Sequence, residues 1–155
     1  MIRTIEDNDV HECINLMHES TQHNEYFGYQ RNERIWITHF LSHVEKAKSD
    51  PKFFTVADWD GAFLRGFLIA HAYRNYYDQN YVMDVKDCIV DHTYKNNVFT
   101  ITRMYNSLFD HIREHGGKHW RADSIRAEGE SLKYGQFLQK KYGAALHFCV
   151  RGVLD

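Results

Sequence analysis

The chain is poor in the residues that usually punctuate a fold. It has one proline and 9 glycines in 155 residues, so the breaks between elements are read from Gly, Asn and Asp. Three cysteines, Cys13, Cys88 and Cys149, are odd in number and far apart, with no C-x-x-C spacing. That argues against a disulfide framework or a structural zinc site, and for a reducing compartment. No apolar run approaches the length of a bilayer span; the most apolar stretch is residues 66–70. Residues 1–7 lack the apolar core of a signal peptide, so a cytoplasmic protein with no membrane partner is expected. Neither charge is in large excess, with 19 Lys and Arg against 21 Asp and Glu, which excludes a basic architectural protein and gives no reason to expect a nucleic-acid partner.

What the chain does contain is a globular balance, 43% hydrophobic and 26% charged, at a length that buries a sizeable core and implies one domain over residues 1–155. Aromatic residues and histidine are abundant: 10 Tyr, 10 Phe, 3 Trp and 11 His. Charge is unevenly placed, with 8 basic and 13 acidic side chains in residues 1–85 against 11 and 8 in residues 86–155.

Residues 2–6 alternate as a short strand, and Asp7-Asn8-Asp9 offers helix caps ahead of Val10, Ile14 and Met17 at helical spacing. Trp36, Ile37, Phe40, Leu41 and Val44 make a second amphipathic stripe that stops near Asp50-Pro51. Residues 53–58 and 63–73 are β-rich runs joined by Trp59-Asp60-Gly61, a hairpin signal, and residues 81–90 form a third run. Val98, Ile101, Met104, Leu108 and Ile112 then mark a helix stopped by Gly116-Gly117. Residues 119–125 read as a strand, Leu132 to Tyr142 as a helix ended by Gly143, and residues 145–154 as a last strand. The order β-α-α-β-β-β-α-β-α-β implies an α/β protein with a mixed central sheet flanked by helices.

Four pieces of the second half, in order and at suitable spacing, resemble the GNAT superfamily of acyl-CoA-dependent N-acyltransferases. Ile89-Val90-Asp91-His92-Thr93-Tyr94-Lys95 looks like the family's V-D-P-x-Y-R. It is followed by the helix end Ile112-Arg113-Glu114-His115-Gly116-Gly117-Lys118, the strand from His119, and Phe137-Leu138-Gln139-Lys140-Lys141-Tyr142-Gly143, similar to F-Y-E-K-L-G. The resemblance implies a GNAT-like fold and acetyl-CoA as acyl donor. It places pantetheine along the backbone of Cys88, Ile89 and Val90. It also places pyrophosphate at the loop Lys95-Asn96-Asn97-Val98-Phe99-Thr100, where backbone N–H groups and a helix dipole receive an anion. Val98 stands where the family has a central glycine, so the motif is degenerate. Gln139 stands where members often carry the tyrosine that protonates the leaving thiolate, with Tyr134 and Tyr142 nearby. Histidine- and aromatic-rich degenerate members of this kind are similar to proteins encoded by tailed bacteriophages, some of them packaged in the virion.

Three candidates for chemistry follow. Asp84 or Asp87 would deprotonate an amine, and their odd spacing predicts that they point to opposite faces of the strand. Tyr142 would act as the acid. Against these roles stands the commoner use of a strand carboxylate in a surface salt bridge. His111-Ile112-Arg113-Glu114-His115 matches H-x-x-E-H, but no third ligand is identifiable and histidine is favoured at a helix C-terminus, so no metal is expected. The acceptor would be a small-molecule or peptide amine. The alternative is a catalytically inactive fold kept as a structural or protein-binding module, its final strand open to a homodimer or a protein partner.

Overall fold

A computed structural model describes residues 1–23, 33–74, 81–123 and 128–145. The elements are β1 (Ile2–Arg3), α1 (Val10–His23), α2 (Glu33–Ala47), β2 (Phe53–Asp60), β3 (Phe63–Arg74), β4 (Tyr81–Val90), α3 (Asn97–Glu114), β5 (His119–Ala122) and α4 (Glu128–Tyr142). A 3-10 turn at Asp7–Asp9 precedes α1, where Asp9 accepts from the Glu6 backbone and from the Arg3 guanidinium. Gly61, Gly116 and Gly143 take positive φ at the hairpin and at the ends of α3 and α4, the conformation that makes glycine an effective stop. The expected N-terminal strand is shorter than its pattern, and residues 146–154 of the expected last strand lie outside the described residues.

The strands form one sheet in the order β1-β2-β3-β4-β5, antiparallel except for the parallel pair β4 and β5. The long apolar runs of β2, β3 and β4 are buried on both faces, because helices cover both. On one face α1 and α2 bring Met17, Trp36, Phe40 and Val44 onto Ala57, Phe67, Ile69 and Ile89. On the other, α3 and α4 bring Met104, Tyr105, Leu108, Ile112 and Leu138 onto Phe54, Val56, Leu68, Met83 and Val90. The buried stripe of α3 begins at Thr100 and leaves Val98 outside it, 57% exposed. A close approach at Gly66 seats that helix: a Cβ there would lie 2.8 Å from the Ile89 carbonyl and 2.9 Å from the Thr100 methyl. Glycine is required so that the first turn of α3 can rest on β3 beside the end of β4.

Candidate functional site

The centre of the site is an irregularity in β4. Ile69 of β3 pairs with Asp87 and the next residue, Ala70, pairs with Val85, so Lys86 is an extra residue, a β-bulge. Its effect on side-chain direction is visible in the cores. Met83 and Val85 face α3 before the bulge, whereas Cys88 and Val90 face α3 after it. The alternation has slipped by one. Asp84 and Asp87 therefore lie on the same face, the α2 side, and the expectation of opposite faces is corrected: strict period-2 alternation does not survive an inserted residue. Neither carboxylate is idle. Asp84 accepts from the Lys86 ammonium at 2.5 Å, and Asp87 accepts the Trp36 indole N–H at 2.9 Å.

The parallel ladder with β5 runs from Val82↔His119 to Val85↔Ala122 and ends immediately before the bulge. Just past the far end of β4, Asp91 folds the chain into α3. Its carboxylate accepts the Thr93 backbone N–H at 2.9 Å and hydroxyl at 2.6 Å, and the Arg65 guanidinium at 3.1 Å. Burial pushes the Asp91 carboxyl up, but Thr93 and Arg65 together hold it below its ordinary range. With its amide oriented to donate, the Asn97 side chain lies 2.8 Å and 2.6 Å from the Asp91 and Tyr94 carbonyls. Asn96 caps through its backbone, its carbonyl accepting from the amide of Phe99 at 2.9 Å. Lys95, Asn96, Val98 and Phe99 are exposed, and Thr100 is fully buried with its hydroxyl lacking a hydrogen-bond partner among the described residues. Val98 and Phe99 thus point to solvent instead of plugging the space beside β4.

On the α3 side of the bulge, the Tyr134 hydroxyl lies 2.5 Å from that of Tyr105 and also meets the Cys88 thiol. Burial, with Cys88 and Tyr105 adding to it, holds Tyr134 well above the ordinary phenol value, so it stays a proton donor at neutral pH. Tyr142, the sequence-based candidate, sits in an aromatic cluster with Phe109, at 4.9 Å, and Trp120, at 6.4 Å. Its hydroxyl donates to the Thr102 carbonyl at 3.4 Å. The geometry thus brings Tyr134, rather than Tyr142, to a β4 side chain. An aromatic stripe at helical spacing marks both residues equally, and only the packing of α4 separates them.

The α2 side of the bulge opens into a groove of about 330 Å³. His39, His43 and Lys46 of α2 form one wall, with His71 and Lys86 on the sheet. His43 donates through Nε2 to the Ala70 carbonyl at 2.8 Å, and burial holds its imidazole below 6.5. The H-x-x-E-H histidines are elsewhere and are used structurally: His111 donates to the Pro51 carbonyl at 2.8 Å and His115 to the His111 carbonyl at 2.9 Å. Cys13 is buried in the α1 core, its thiol pushed up to about 12, which makes it a packing residue and not a nucleophile.

No protein-family profile and no curated protein matches this sequence. Solved structures do. The ribosomal-protein-alanine N-acetyltransferase of Brucella melitensis biovar Abortus 2308 superposes with a TM-score of 0.68 at 16% identity, covering 100% of this chain and 99% of that one. An acetyltransferase of Trypanosoma brucei gives 0.69 at 16%, covering 99% of each chain. A protein of Clostridium acetobutylicum described as a predicted acetyltransferase, solved with acetyl-CoA, gives 0.72 at 11%, covering 99% and 95%. The chain has the GNAT fold of N-acetyltransferases, a mixed sheet between two helical layers.

Proposed function

We propose that this protein is an acyl-CoA-dependent N-acyltransferase that moves an acetyl group to the amine of a small molecule or peptide. The observation that carries the reading is the bulge at Lys86, set where the β4–β5 ladder ends and ahead of the N-terminus of α3. A strand that leaves its parallel neighbour at a bulge presents its backbone edge to an extended ligand, and the helix start beyond it presents N–H groups to an anion. The residues present fit the donor: the backbone of Cys88, Ile89 and Val90 would hold the pantetheine arm, and Lys95, Asn96, Asn97, Val98, Phe99 and Thr100 would hold the pyrophosphate. The orphaned buried hydroxyl of Thr100 is a polar atom in search of a partner at that turn. Val98 and Phe99 point away from it.

When bound, acetyl-CoA supplies the acetyl group as a thioester, whose C–S bond breaks as the C–N bond to the amine forms. The chain's own groups handle the protons. Tyr134, protonated at neutral pH, donates toward the departing sulfur. Asp84 and Asp87, brought to one face by the bulge, lie on the side from which the amine arrives, and either accepts its proton once its present partner, Lys86 or Trp36, is displaced or a water intervenes.

Isothermal titration with acetyl-CoA, and with free CoA alongside, tests this. Micromolar binding is expected from a working loop. No heat and no thermal stabilisation at millimolar ligand would sink the proposal, and the fold would then be a non-catalytic module offering the exposed Val98 and Phe99 to a protein partner.

A further inference from the structure

The groove beneath α2 is not explained by acetyl transfer alone, because its side chains recognise an anion rather than an ammonium. We propose that it is an oxyanion subsite, holding the carboxylate or phosphate of a small acceptor that also carries the amine. This rests on the acyltransferase reading and adds the substrate class.

The inventory of charge in the groove leads there. Its carboxylates are committed: Asp84 to Lys86 and Asp87 to the Trp36 indole. Lys46 has no carboxylate partner among the described residues, and its ammonium sits 5.1 Å from the centre of the Phe53 ring. His71, half-buried and stacked 6.0 Å from Phe53, makes no hydrogen bond among the described residues. His43, 6.2 Å from His71, already uses its Nε2 on Ala70. What remains on offer to a ligand is a set of donors on opposite walls: the Lys46 ammonium, the His39 ring, the His71 ring and the remaining N–H groups of Lys86. Ammonium groups with a polar floor are suited to a carboxylate or phosphate. The volume, about 330 Å³, admits a small molecule. The groove also borders the bulge, where Lys86 and Asp87 lie in its wall, so an anion seated among Lys46 and His71 leaves an attached amine beside β4.

Binding should be linked to a proton. Burial is the chief cause that holds His71 below 6.5, the Lys86 and Lys46 ammonium groups push it further down, and Asp84 pulls it up. The other groups facing it are His39 and His43 from α2 and Asp87 from β4; Phe53 of β2 is uncharged. An anion among them offsets both ammonium groups, raises the His71 pKa, and draws a proton onto the ring.

The first arm uses inorganic phosphate and acetate as probes in an NMR titration of the histidine ring protons. Both anions should shift the His71 signals and raise its titration midpoint, and Lys46→Ala, an exposed position whose loss does not threaten folding, should weaken binding by about tenfold. Unmoved His71 signals at millimolar phosphate and acetate, or unchanged affinity in both Lys46→Ala and Lys86→Ala, would overturn the subsite. The second arm compares matched acceptors in the acetyl-CoA assay: glycine against glycinamide, and phosphoethanolamine against ethanolamine. The anionic member should be preferred by about tenfold or more and the preference lost in Lys46→Ala. The larger ratio tells carboxylate from phosphate. Equal use of the amines that lack the anion would overturn the substrate class. Failure of acetyl-CoA to bind removes the parent reading and with it the acceptor role, while the first arm still decides the anion site.

Discussion

The two faces of the sheet use polar groups in opposite ways. Under α3 and α4 the tyrosine hydroxyls are closed into pairs, Tyr105 with Tyr134 and Tyr142 with the Thr102 carbonyl, inside a cluster of Phe109 and Trp120. Under α2 the polar groups line an open groove, and His71 and Lys46 have no polar partner among the described residues. One face pairs its phenol hydroxyls within the protein, and the other leaves its cationic and imidazole groups open in the groove. The bulge at Lys86 is the hinge between them, because it carries Cys88 to the first face and Asp84 and Asp87 to the second.

Single substitutions would break or sharpen that contrast. Leu108→Ala, in the closed face, should cost about 3 kcal/mol in urea unfolding, within the usual range for a fully buried leucine, whereas Lys46→Ala in the groove should cost less than about 0.5 kcal/mol. Equal losses would show that the groove is structural. Gly66→Ala should cost about 1–3 kcal/mol, since the added methyl meets a backbone carbonyl that cannot yield as a side chain would. Because it lifts the first turn of α3, it should also weaken acetyl-CoA binding, and a stability loss with unchanged binding would separate the helix start from the donor site. Tyr134→Phe should cost about 1 kcal/mol for the lost hydroxyl pair and slow acetyl transfer by about a hundredfold at unchanged donor affinity. A Tyr142→Phe variant with the larger effect would restore the sequence-based assignment. Val98→Gly should tighten acetyl-CoA binding severalfold while costing about 0.5–1 kcal/mol of helix stability, and no change in binding would mean that the side chain, exposed as it is, never stood in the way.

The groove also predicts an acid sensitivity. His43 and His71 are held below 6.5 in the folded protein, burial being the first cause for each. As pH falls, the unfolded chain therefore binds the protons first. The stability they contribute is complete above 6.5 and declines as the pH drops from there toward the folded values. Urea midpoints measured across that window should fall in the native protein and fall less steeply in His43→Gln, which keeps a donor for the Ala70 carbonyl and leaves only His71 of the pair to titrate. Asp91, held below its ordinary 3.8, acts in a separate and more acidic window, its contribution present above that value and lost below it.

Much of the fold was legible because it is decided locally. Runs of β-branched and aromatic residues made β2, β3 and β4 readable, glycines at positive φ closed the hairpin and the helices, and the apolar stripe of α3 was correct from Ile101 onward. The step from β4 into α3 was legible because a strand-like run ending at Val90 is followed by a stripe at helical spacing. The site was less legible. Nothing in Val85-Lys86-Asp87 announces an extra residue, since a bulge is defined by the partner strand that skips it. The two aspartates were therefore placed on opposite faces when they share one.

Sequence alone thus determined the order of the described elements and most of their buried positions, though Leu41 and Val98 of the expected stripes are exposed, because hydrophobic period, turn residues and helix stops act over a few neighbours. Tertiary structure decided which side chains meet. Tyr134 reaches Cys88 because α4 packs across β4, and His43, Lys46, His71 and Lys86 line one groove although three elements supply them. Those meetings depend on register and helix docking, in which one inserted residue reverses every side chain beyond it.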